Sequence, residues 1–147
     1  MESTSTMPAG KSFRPMRAAV RLAAVIAVVF GAATVASGGN VLFGGGAAAA
    51  GDYIGFVVWF NFLAGFFYVA AGVGLWRGRR WAAQLSLLLA LATAAVFAAL
   101  GVHIATGGVF EARTVAAMTL RTLLWAAIAA LALSVDQDQP DEGPARV

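Results

Sequence analysis

Within or beside the long apolar stretches of this sequence stand Asp52, Asn61, His103, Glu111, Arg113 and Arg121, side chains able to handle a proton or hold an ion. Imidazole titrates near neutral pH and a neighbouring carboxylate favours its charged form, so His103 beside Glu111 and Asp52 would make a proton-handling or cation site. The plain alternative is an interfacial histidine, an aspartate cap and a Glu111/Arg113 pair in hydrated head groups. Arg121 sits about eight residues into an apolar run, roughly 12 Å at 1.5 Å per residue. An arginine there costs about 2.5–3.5 kcal/mol on insertion scales, which makes it a functional candidate. Asn61 enters its own apolar run to a similar depth, and an unpaired carboxamide there is costly. Facing each other, the two side chains would hydrogen-bond. A structural Arg121, satisfied by Asn61, Thr119, Thr122 or backbone carbonyls, is the competing reading.

Metal and cofactor chemistry find little support in this set. The single histidine and the acids lack a tight ligand spacing such as H-x-x-x-H. Met118 and Trp125 share the face of Arg121 at spacings of three and four, yet no second histidine exists for bis-imidazole haem ligation. The absence of cysteine excludes disulfides, thiolate metal sites and a cysteine nucleophile. No metal, no cofactor and no catalytic residue is expected.

The elements that must position these side chains follow from composition. Of the 147 residues, 61% are hydrophobic and only 12% charged, and the mean hydropathy is +0.81. Ordinary soluble domains are about 45–50% apolar and 25% charged, so this chain has too little polar surface for a water-soluble globule. The sequence predicts an all-α integral membrane protein, an antiparallel up-down bundle with spans at about 18–37, 52–75, 81–105 and 113–135. Each apolar run reaches the roughly 18–20 residues that cross a bilayer. Residues 1–17 read as a disordered tail ending in Lys11, Arg14 and Arg17, with Pro8 and Pro15 opposing a long helix. Residues 136–147 read as a disordered acidic tail.

Between the spans, Gly38 to Gly51 reads as a flexible connector, and its glycines lack the Lys-Ser/Thr pair of a phosphate-binding loop. Gly51/Gly55 and Ala70/Gly74 in the second span, and Ser86, Ala90, Ala94 and Ala98 in the third, are small residues at steps of four that let helices approach. A rival reading of the start is a cleaved signal peptide ending at Thr34-Val35-Ala36, although the apolar run continues to a full bilayer width.

Orientation comes from the basic residues. Lys11, Arg14, Arg17, Arg21, Arg77, Arg79 and Arg80 fall on one side and Arg113 on the other, which places both termini in the cytoplasm. The net charge of +3 therefore sets membrane orientation and gives no nucleic-acid surface. Trp76-Arg77-Gly78-Arg79-Arg80-Trp81 is a short loop bracketed by interfacial tryptophans. With Gly72 to Leu75 before it, this stretch resembles the cytoplasmic hairpin of small four-span bacterial inner-membrane proteins, DoxX-like ones among them. The resemblance implies the up-down bundle and carries over no functional residue.

Two functions fit. One is a non-enzymatic accessory or interaction subunit of the inner membrane, with the lipid bilayer, copies of itself or other membrane proteins as partners. The other is an oligomeric transport or ion-translocating component using Arg121, Asn61 and a mouth of His103, Glu111, Asp52 and Arg113. The first is preferred because spans two and three offer only Gln84, Ser86 and Thr93 toward the cytoplasmic half.

Overall fold

The computed structural model describes residues 13–46 and 53–137. They form four helices: α1 (Phe13–Phe43), α2 (Gly55–Trp76), α3 (Arg80–Ala105) and α4 (Ala112–Gln137). Each is long and apolar enough to cross a membrane. Large apolar side chains such as Leu22, Val29, Leu63, Leu88, Leu91, Leu120 and Leu123 point outward, more than half exposed in several cases. A surface of that kind suits acyl chains and is unfit for water. The chain is a four-helix, multi-pass membrane bundle.

Both tight turns use the same device. The Gly78 N–H donates to the Leu75 carbonyl and the Arg79 N–H to the Gly74 carbonyl; the Gly107 N–H donates to Ile104 and the Gly108 N–H to His103. This paired pattern closes a helix only when the residue after the cap adopts positive φ. Gly78 and Gly107 have φ of 64° and 85°. Chain reversal in so few residues makes the helices antiparallel.

α1 is longer than the sequence predicts at both ends. It begins at Phe13, inside the expected tail, and runs through Gly38 and Gly39 to Phe43, inside the expected connector. Pro15 is tolerated because it falls in the first turn, where a backbone N–H has no intrahelical partner. Gly38 and Gly39 remain helical because they lie against the Phe62 ring. The Gly44 and Gly46 N–H groups donate back to the Asn40 carbonyl and close the helix; residues 47–51 of the connector, the Asp52 expected to open the second span, and most of both tails lie outside the described residues.

The ring of helices runs α1, α2, α3, α4, and it is unevenly closed. α1 packs most extensively on α2, and α4 on α3, while α1 and α4 touch only lightly. The end that carries the arginine-rich turn is filled by Ala23, Ala24 and Ala27 of α1, Tyr68, Ala71 and Leu75 of α2, Ala82, Ala83 and Leu89 of α3, and Trp125, Ile128 and Ala132 of α4. The opposite end has a smaller core of Ile54, Val57, Leu100 and Met118, to which α1 contributes nothing.

Candidate functional site

At that opposite end, where α1 and α4 part, a cleft of about 420 Å³ opens between them with α2 as its back wall. Thr34, Ser37 and Val41 line one side, Arg113, Thr114 and Ala117 the other, and Val57, Val58 and Asn61 the back. Arg121 also lines it and, lying about two turns along α4 from Arg113, forms its floor.

Arg121 is 7% exposed. Its Nη1 donates to Met118 Sδ at 3.6 Å and its Nη2 to Thr34 Oγ1 at 3.4 Å. The guanidinium carbon stands 5.4 Å from the centroid of the Phe30 ring, within the range of a cation–π contact. Nε is buried and has no partner. A guanidinium bound to a carboxylate or phosphate makes bonds of about 2.7–2.9 Å to a charged acceptor; here both bonds are long and both acceptors are neutral. The charge of Arg121 has no counter-charge among the described residues.

Asn61 does lie at the depth of Arg121, and the two side chains meet through a third. Asn61 Nδ2 donates to the same Met118 Sδ, at 3.7 Å, and Asn61 Oδ1 is buried without a partner. The direct Asn61–Arg121 bond expected from the sequence is replaced by this shared sulfur, because Met118, one turn above Arg121, fills the space between α4 and α2. Thr119 and Thr122, considered as partners for Arg121, instead bond back to the carbonyls of Val115 and Met118 in their own helix.

The expected common mouth is divided. The His103 Nε2 lies 3.2 Å from the Val109 carbonyl, and the ring sits where a Cβ on Gly108 would stand. His103 lines a neighbouring cavity with Tyr53, Ile54, Gly55 and Val109, and Tyr53 stands between it and the cleft, lining both. Glu111 lines neither cavity and makes no ion pair among the described residues. The physical reason is the α3–α4 turn: the chain folds back over the histidine at Gly107–Val109, so the imidazole meets backbone before it can meet Glu111. Arg113 belongs to the cleft, on its rim. Among the described residues, no group of three or more His, Cys, Asp or Glu side chains could hold a metal ion.

Beneath Arg121 the bundle is closed. Tyr68 stacks on Trp125 with ring centroids 4.5 Å apart and shares a hydrogen bond with Thr93 at 3.3 Å. These side chains are fully buried, so the cleft ends on an aromatic floor plate. Sequence reasoning placed Met118 and Trp125 on the face of Arg121 and missed its two contacts on α1. The available signal was the i, i+4 spacing of Phe30 and Thr34, an aromatic and a hydroxyl on one face of the apolar middle of α1. The chain matches no protein-family model, no curated protein and no solved structure.

Proposed function

We propose that this is a small non-enzymatic inner-membrane protein that holds an anionic group at Arg121. The observation that carries the reading is a guanidinium at the floor of an open cleft whose acceptors, Met118 Sδ and Thr34 Oγ1, are neutral and distant. Arg113 on the rim adds a second positive charge along the way in. Hydroxyls are present at Thr34, Ser37 and Thr114, but the described lining includes no imidazole or carboxylate to activate one. Holding is favoured over conduction by the Tyr68–Trp125 plate, which fills the bundle below Arg121. With the arginine-rich turn cytoplasmic, both termini are cytoplasmic, α1 is retained as an anchor, and the cleft faces the extracytoplasmic side.

Inorganic phosphate is the simplest probe. In nonionic detergent, the full chain at a phosphate concentration about 100 times its dissociation constant gains about 2.7 kcal/mol of stability. Thermal unfolding against chloride at equal ionic strength measures this. Arg121→Gln abolishes the gain. An equal gain in the variant, or none in the native chain, overturns the reading.

A further inference from the structure

We propose that the anion held in the cleft is the head group of an anionic phospholipid, which enters sideways from the outer leaflet through the gap between α1 and α4. This rests on the anion-binding reading above and adds the identity and route of the ligand.

The argument begins with where the cleft opens. α1 and α4 are neighbours on the perimeter of the bundle, so a gap between them gives onto the bilayer as well as onto the aqueous end. The gap is real at this end only: α1 supplies three alanines to the core near the arginine-rich turn and nothing to the core near the α3–α4 turn. A small soluble anion has no need of a lateral opening. A phospholipid does, because its head group can occupy the polar groove while its chains stay in the membrane.

The lining is graded to match. Arg113, Asn40 and Tyr53 stand around the rim, at the level of lipid head groups, followed inward by Ser37 and Thr114 and then Arg121 with Asn61 and Thr34. Val41, Val57, Val58 and Ala117 separate these polar groups. A phosphate can meet a charge at Arg113 and again about 12 Å deeper at Arg121, with hydroxyl and amide donors between. The volume, about 420 Å³, is within the size range of small-molecule sites and well above one inorganic phosphate. The positive charges of Arg113 and Arg121 in the lining favour an anionic lipid over a zwitterionic one.

The test uses the full chain in nonionic micelles doped with equal phosphatidylglycerol and phosphatidylcholine, with bound lipid counted by native mass spectrometry. The native chain retains phosphatidylglycerol in preference, and Arg121→Gln weakens that retention roughly tenfold or more, the scale of a lost charged hydrogen bond. Ala117→Phe, which narrows the seam without altering charge, loses the lipid; helical circular dichroism and a cooperative thermal unfolding transition like the native chain's show that this variant is folded. If phosphate stabilises the native chain while phosphatidylglycerol is not preferred, the lipid inference fails and the anion reading stands. If neither ligand acts, both fail. Retention unchanged in Arg121→Gln or in Ala117→Phe overturns the proposed head-group contact or the lateral route.

Discussion

Met118 is more tightly committed to its place than Arg121. The sulfur accepts from both Asn61 and Arg121, so Met118→Leu leaves one buried and one part-buried donor without their shared acceptor, at about 1–3 kcal/mol for the buried one. Arg121→Leu instead removes an uncompensated charge, a change that is often neutral or stabilising in a buried setting. Unfolding of the purified variants in detergent is therefore expected to rank Met118→Leu below Arg121→Leu in stability. The reverse order would mean that the guanidinium is held more strongly than its long bonds indicate. The Arg121, Met118 and Trp125 face was readable in the sequence because spacings of three and four fix neighbours on one helix. The contacts to Phe30 and Thr34 were not, because they depend on how α1 is rotated about its own axis. Nor was the separation of His103 from Glu111, which is decided by the path of three residues in a turn.

Glycine contacts set the rotation of α1. A Cβ on Gly31 would stand 2.9 Å from the Gly65 carbonyl oxygen and from Tyr68 Cβ, and one on Gly72 would stand 2.8 Å from the Ala24 carbonyl oxygen. The two backbones meet here, and van der Waals packing of this kind drives association of helices in lipid. Of the small residues picked out in the second span, Gly74 does sit at a close approach, a Cβ there standing 2.7 Å from Ala82 Cβ of α3, whereas Gly55 faces open space, Ala70 is exposed, and Gly51 lies outside the described residues. In α3 the buried line runs Ala82, Ser86, Leu89, Thr93, Leu100. Steps alternating between four and three, or seven together, hold a straight seam; the pure steps of four drift about 40° each time, so Ala90 still packs against the core while Ala94 and Ala98 are exposed. Gly72→Ala is thus expected to destabilise by about 1–3 kcal/mol through overpacking. Gly55→Ala should be neutral, or stabilising by about 0.5–1 kcal/mol from helix propensity. Comparable losses from both would show that α1 and α2 do not meet at Gly72.

The number of helices and their up-down order were legible because length and hydropathy alone decide which segments can cross a bilayer. Their uneven closure was not, since it emerges only when four helices pack at once. The proposed cytoplasmic placement of both termini predicts that alkaline phosphatase fused after Val147 is inactive in the native chain. The same fusion bears on assembly order. The extensive α1–α2 contact makes a hairpin that is complete before α4 leaves the ribosome, and its Phe30 and Thr34 are what Arg121 meets. The last helix thus carries its costly arginine into a prepared berth rather than into naked lipid. Replacing Phe30 and Thr34 together with leucine should then let a fraction of chains strand α4 outside, and the silent phosphatase at Val147 should become active. A fusion that stays silent would show that the translocation machinery accepts Arg121 unaided, and that the first hairpin has no part in ushering in the last helix.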